Sequence, residues 1–184
     1  IAPQTFSQFR INPEEFILKA ARLINDEKAT QIIEHITYNR LDAAYDQDVF
    51  TRATLRGKLD VNAMEANRSL YSHVIYDSDN ERRFAQELDV SDQVAGDVKL
   101  PGSFYISTPV GKYNPDWAIA FNEGSVKHIY FVAETKGNLD TMELRGVENA
   151  KIECAKKHFA AISNGSVVYS VVDNYSTLMQ LVSN

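Results

Sequence analysis

Asn114-Pro115-Asp116-Trp117-Ala118-Ile119-Ala120-Phe121, a turn at Asn122-Glu123-Gly124-Ser125, and the run Val126-Lys127-His128-Ile129-Tyr130-Phe131-Val132-Ala133-Glu134-Thr135-Lys136 read as a hairpin. The hairpin carries Pro-Asp, an apolar spacer and Glu-x-Lys. Side chains alternate along a strand, so Val126, His128, Tyr130, Val132, Glu134 and Lys136 share one face. Two carboxylates and an ammonium that converge can hold a hard divalent cation through oxygen, while the lysine steadies an attacking water or a phosphate. That is the chemistry of metal-assisted phosphodiester hydrolysis, and it makes Asp116, Glu134 and Lys136 the candidate catalytic residues.

Register decides whether they meet. Pairing Phe121 with Val126 sets Asp116 opposite Phe131 and sends Asp116 and Glu134 to opposite faces, which cannot make one metal site. Pairing Phe121 with Ile129 sets Asp116 opposite Glu134 and lengthens the loop to 122–128. The sequence therefore predicts that longer loop, or a bulge of odd residue count.

Working outward, Asn12-Pro13-Glu14-Glu15 is a helix start, with Asn as cap, Pro at the first position and acids in the first turn. Phe16, Ala20, Leu23 and Ile24 supply its apolar face. A strand is expected over 32–38. Residues 39–70 read as helical turns and loop, with Tyr45, Phe50 and Leu55 as isolated anchors, and 71–76 has weak strand character. A second helix opens at Ser78 with Glu81 in capping-box position. Glu81, Phe84, Ala85 and Leu88 fall at i, i+3, i+4 and i+7, which places Glu81 at the head of the apolar face. It is either a structural cap or a third carboxylate aimed at the sheet. A strand at 104–108 and a turn at Pro109-Val110-Gly111 lead into the hairpin. Leu144, Val147, Cys154, Ala155, Phe159 and Ile162 mark a long amphipathic helix ended by Asn164-Gly165. A buried strand at 166–172 and a helix at 175–182 follow. The pattern predicts an α/β fold, a mixed central sheet flanked by helices.

Composition fits this reading. The 184 residues suffice for one domain with a core, and 44% hydrophobic and 24% charged residues are ordinary for a globular chain. No signal-peptide pattern opens the chain and no apolar run is long enough to span a bilayer, so a cytoplasmic location without membrane contact is expected. A single cysteine, Cys154, excludes an internal disulfide and sits at the core spacing of its helix. His35, His73, His128 and His158 show no zinc-type spacing. A net charge of −6 argues against a free-standing DNA binder, but not against a catalytic module delivered by other domains. Lys151, Lys156, Lys157 and Arg145 are interleaved with acids and read as a solvated helix face. Gly111-Lys112 is no phosphate loop, because the required glycine is Ile106.

Pro-Asp alone is a common turn dipeptide, and Glu-x-Lys a common surface triplet. With Glu81, Asp116, Glu134 and Lys136 together, however, the chain resembles the PD-(D/E)xK nuclease superfamily. Lys99-Leu100-Pro101, Thr108-Pro109-Val110-Gly111, Tyr113-Asn114-Pro115-Asp116-Trp117-Ala118 and Glu134-Thr135-Lys136-Gly137 resemble the C-terminal endonuclease domain of type III restriction enzyme Res subunits. Leu144-Arg145, Glu148, Lys151-Ile152, Cys154-Ala155 and His158-Phe159 continue the likeness. The resemblance implies a restriction-endonuclease-like core at 77–184 with an N-terminal helical and strand extension at 1–76, excised from a larger helicase-nuclease subunit. It implies Mg²⁺, with Mn²⁺ as substitute, held by Asp116 and Glu134 and with Glu81 as a further ligand, and it gives Lys136 the support of the nucleophile. Double-stranded DNA, an ATP-using helicase or translocase part of the full-length chain, and a methyltransferase Mod subunit are the implied partners. Two other readings stay open: a repair or recombination nuclease fused to a helicase, and a non-catalytic docking module.

Overall fold

The structure, a computed structural model, describes residues 5–39, 50, 57–59, 61–122, 129–132, 146–163 and 167–183. Helix α1 (Thr5–Ile11) leads into α2 (Pro13–His35), where the Asn12 side chain accepts from Glu15 N at 3.1 Å and Pro13 takes the first turn. The strand expected over 32–38 is absent. Helix α2 runs through His35, and Ile36 N–H closes on Ile32 O at 2.9 Å before the backbone becomes extended. No Gly or further Pro interrupts 14–35, so each added residue extends an already nucleated helix at little cost. Phe16 and Ala20 are half-buried as expected of an apolar face, but Leu23 and Ile24 are exposed.

Strands β1 (Ala63–Glu65) and β2 (His73–Ile75) pair antiparallel, with Met64 opposite Val74. The Ala-Met-Glu of β1 lacks β-branched residues, which is why 39–70 read as loop. At Phe50 the backbone carbonyl accepts the Tyr71 hydroxyl at 2.6 Å. Tyr45 and Leu55 lie outside the described residues. Helix α3 (Asp79–Val90) then buries Phe84, Ala85 and Leu88, the face that the periodicity predicts.

Strand β3 (Val94–Lys99) was not anticipated. Its alternation is broken at Gly96-Asp97, where the register shifts between Val94 and Gly96. Gly96 also lets the 67–70 segment approach, since a Cβ there would stand 3.4 Å from Arg68 O. The strand expected at 104–108 is the shorter β4 (Ile106–Thr108). It forms a small hairpin with β5 (Gly111–Tyr113) through Pro109-Val110, and Gly111 takes the positive φ of 116°.

The main sheet adds β6 (Trp117–Phe121), β7 (Ile129–Val132) and β8 (Val167–Ser170) to β3 in the order β3-β6-β7-β8. The first two pairings are antiparallel and β7–β8 is parallel, its crossover containing α4 (Gly146–Ile162). Helix α5 (Tyr175–Val182), capped by Asn174, closes the fold. The architecture is therefore the mixed α/β sheet flanked by helices that the sequence predicts. Trp117, Ile119 and Phe121 pack on one face with Phe84, Ala85 and Leu88 of α3 and Leu178 and Val182 of α5. On the other face Tyr169 of β8 meets Ile152, Ala155 and Phe159 of α4 and Ile106 of β4. Cys154 is fully buried, and that burial pushes its thiol above the usual range. Leu144, Arg145 and the helix-ending Asn164-Gly165 lie outside the described residues. Among the described residues no helix is long and apolar enough to cross a membrane.

The hairpin register matches neither the Phe121–Val126 nor the Phe121–Ile129 pairing. Ala120 pairs with Ile129 and Trp117 with Val132, one residue away from the Phe121–Ile129 pairing. A one-residue slip would turn Trp117 and Ile119 out of the core, so packing sets the ladder. Asp116 is in a bend ahead of it.

Asp97, opposite Ile119 on β3, is only 6% exposed, and burial pushes its carboxyl up to about 6. The folded state thus holds this proton more tightly than the unfolded chain, and stability falls as pH rises from about 4 to about 6. We predict that Asp97→Asn is more stable than the parent at pH 7.5, by on the order of 2 kcal/mol, and not at pH 4. Urea unfolding at the two pH values checks this; an equal effect at both would show that desolvation of the charge is not the cause.

Candidate active site

Asp116 owes its position to its neighbours on both sides. Pro115 and Trp117 are fully buried, and Leu100 N donates to the Asp116 carbonyl at 2.8 Å, just past the Lys99–Trp117 pair that ends the β3–β6 ladder. Asn114 ties this corner down by donating from Nδ2 to Gly102 O at 3.0 Å and to Phe104 O at 2.5 Å. Asp116 is thereby held half-buried at the entrance of β6.

Glu81 reaches the same end of the sheet from α3. Phe84, one turn further along, packs edge-on against Trp117 with ring centroids 5.6 Å apart. One half of the capping box forms, Ser78 Oγ accepting from Glu81 N at 3.3 Å, while Glu81 Oε2 accepts from Asp77 N, one residue ahead of the cap, at 2.7 Å. The same Oε2 receives Lys99 Nζ at 2.6 Å, and Lys99 also reaches Asp77 Oδ2 at 3.0 Å. The Lys99 and Glu81 side chains are only 20% and 15% exposed, so their pairing is far less screened than a surface ion pair. Burial alone would lower the Lys99 pKa, but the hydrogen bonds and charges of Glu81 and Asp77 outweigh it and leave the ammonium above its usual range.

Glu81 therefore does serve as a cap. Both contacts fall on Oε2, which leaves Oε1 outside the capping and ion-pair contacts. The sequence reading missed the role of Lys99 because it missed β3. Once Lys99 is on a strand opposite Trp117, its reach towards the α3 N-terminus follows from alternation.

Glu134 and Lys136 lie outside the described residues, as does the bulge expected before them. The described part of β7 ends at Val132, opposite Trp117. Among the described residues no group of three or more His, Cys, Asp or Glu side chains is placed to hold a metal. What this region shows is two carboxylates, Asp116 and Glu81, brought to one sheet end with a half-buried lysine between the elements that carry them.

Comparison with known proteins gives a family. The model of a family described as an endonuclease domain matches residues 67–175, a span that includes Glu81, Lys99, Asp116, Glu134 and Lys136. No curated protein and no solved structure matches the chain.

The Lys99–Glu81 pair has a measurable consequence. We predict that Lys99→Met destabilises the fold by about 1–3 kcal/mol, because it strands a largely buried carboxylate. Adding Glu81→Gln should recover part of that loss. A double-mutant cycle on urea unfolding reads the coupling, and strictly additive effects would mean that the pair contributes nothing.

Proposed function

Because the chain belongs to the endonuclease-domain family whose model covers residues 67–175, we propose that this nuclease hydrolyses DNA phosphodiester bonds with a bound divalent cation, as the endonuclease domain of a type III restriction Res subunit. The observation that carries the chemistry is the common sheet end, where Asp116 enters β6 and Glu81 arrives from α3; the Trp117–Val132 pairing by strict alternation would send Asp116 and Glu134 to opposite faces, so their convergence calls for the odd-residue bulge that the sequence predicts before Glu134. The mixed α/β architecture is consistent with the restriction-endonuclease-like fold.

The side chains suit a hard cation. Carboxylate oxygens are the donors Mg²⁺ and Mn²⁺ prefer, and Glu81 has one oxygen outside its cap and ion pair. In our reading Asp116 and Glu134 hold the cation and Glu81 adds Oε1. A bound cation would supply a more acidic water and positive charge for the scissile phosphate. Lys136 orients the attacking water. It does not serve as a simple base, since a lysine near its ordinary pKa of about 10.4 stays protonated at neutral pH. Lys99 keeps Glu81 pointed at the sheet and offsets part of the carboxylate repulsion when Asp116 and Glu81 approach one site.

The assembly is part of the proposal. The net charge of −6 suits a cutting module carried to DNA by others: an ATP-driven helicase or translocase part of the same full-length chain and a methyltransferase Mod subunit that reads the sequence.

We predict that Mg²⁺ or Mn²⁺ supports nicking of supercoiled plasmid, that chelation stops it, and that Asp116→Ala, Glu134→Ala or Lys136→Ala each lowers it by on the order of 10²-fold or more. Metal binding without nicking would call for the same variants in the intact restriction complex. Normal cleavage there by Asp116→Ala would overturn the proposed site and favour a docking role.

A further inference from the structure

The β4–β5 hairpin is built like a contact element that the hydrolytic chemistry does not use. One face is an anchor. Ile106, 4% exposed, packs with Ile152, Ala155 and Phe159, and the Tyr113 and Tyr169 hydroxyls are 2.6 Å apart. The turn is locked by Thr108 Oγ1, which donates to Gly111 O at 2.5 Å and accepts from Val110 N at 3.3 Å. The other face is free of the core. Ser107 and Lys112 are opposite each other there, and both are exposed. Lys112 Nζ stands 3.8 Å above the centre of the Tyr105 ring, which holds the ammonium in place, and no carboxylate among the described residues pairs with it. Lys151 comes to the same hairpin from α4: a Cβ on Gly111 would be 3.7 Å from its Cε.

We propose that this outer face is a binding site for the DNA backbone, with Lys112 as the phosphate-binding cation, Ser107 as a neighbouring hydroxyl donor and Tyr105 as the platform. The proposal rests on the nuclease reading above. Three features favour DNA. The hairpin presents a preset ammonium and a hydroxyl on one rigid ribbon, which suits phosphate oxygens. It is joined through Asn114-Pro115 to Asp116, so the Lys112 backbone is at most about 14 Å from Asp116. At about 3.4 Å of rise per nucleotide, that distance places Lys112 against phosphates a few nucleotides from the bond being cut. An acidic domain, finally, needs local cations where a polyanion passes.

The test is salt-dependent binding of the 184-residue chain to unrelated duplexes in Ca²⁺, which permits binding while slowing cleavage, with Mn²⁺ titration in the absence of DNA alongside. Lys112→Ala is expected to weaken binding to every duplex alike and to reduce the slope of log affinity against log salt by about 1. Its deficit relative to the parent should accordingly shrink by about 3.5-fold between 50 and 200 mM salt. Lys112→Arg should restore the slope, Lys19→Ala on α2 should not change it, and Mn²⁺ binding by Lys112→Ala should match the parent. A parental slope in Lys112→Ala overturns the hairpin proposal and leaves the nuclease reading intact. Failure of the parent chain to bind any duplex would likewise overturn the hairpin as a backbone site, whereas failure of the parent to bind Mn²⁺ would count against the nuclease reading.

Discussion

The burial of Trp117 under Phe84 is the contact on which the rest of the structure depends. A fully buried indole at the first position of β6 fixes which face of that strand meets α3, and alternation then turns Ile119 and Phe121 to the same core. Asp116, one residue earlier, is left at the sheet end, where Leu100 N holds its carbonyl. The same contact sets α3 on the sheet so that its first turn brings Glu81 to Lys99. A candidate site and a core layer are thus placed by one aromatic pair.

Electrostatics divides the domain. Most carboxylates among the described residues are exposed, but the end of the sheet that carries Asp116 has a half-buried ammonium matched to Glu81 and Asp77. A lysine in that position does more for organisation than for net stability, since desolvation offsets much of the Coulomb gain. Its value is directional: it fixes the carboxylate of Glu81 through Oε2. Asp97, buried on the same strand with no cation paired to its side chain among the described residues, shows the cost of the alternative, a carboxyl whose pKa burial drives upwards.

Much of the fold was legible because the periodic segments had clean ends. Asn12-Pro13 and Ser78 with Glu81 announce helices that start where expected, and α5 has the predicted bounds. The failures share one cause, weak local signals decided by tertiary partners. Strand β3 was hidden by Gly96-Asp97, whose bulge and buried charge make sense only beside Arg68 and Ile119. The run at 32–38 could serve helix or strand, and packing chose: Tyr38 lies edge-on to His158, and Ile33 O accepts from Lys157 Nζ of α4. For the candidate site, the sequence proposed Asp116 and Glu81, which the fold brings to one sheet end, but not Lys99, because its partner is visible only once β3 is known. The hairpin register lies one residue from the Phe121–Ile129 pairing, because Trp117 sets the ladder and Asp116 precedes it.

The proposed chemistry requires Asp116 and Glu134 to converge on one cation. Anomalous diffraction from crystals of the chain grown with Mn²⁺ would show this. The expected result is a Mn²⁺ peak bonded to carboxylate oxygens of both residues at the β3–β6 end of the sheet. Ordered Asp116 and Glu134 side chains on opposite faces, with no Mn²⁺ between them, would contradict it.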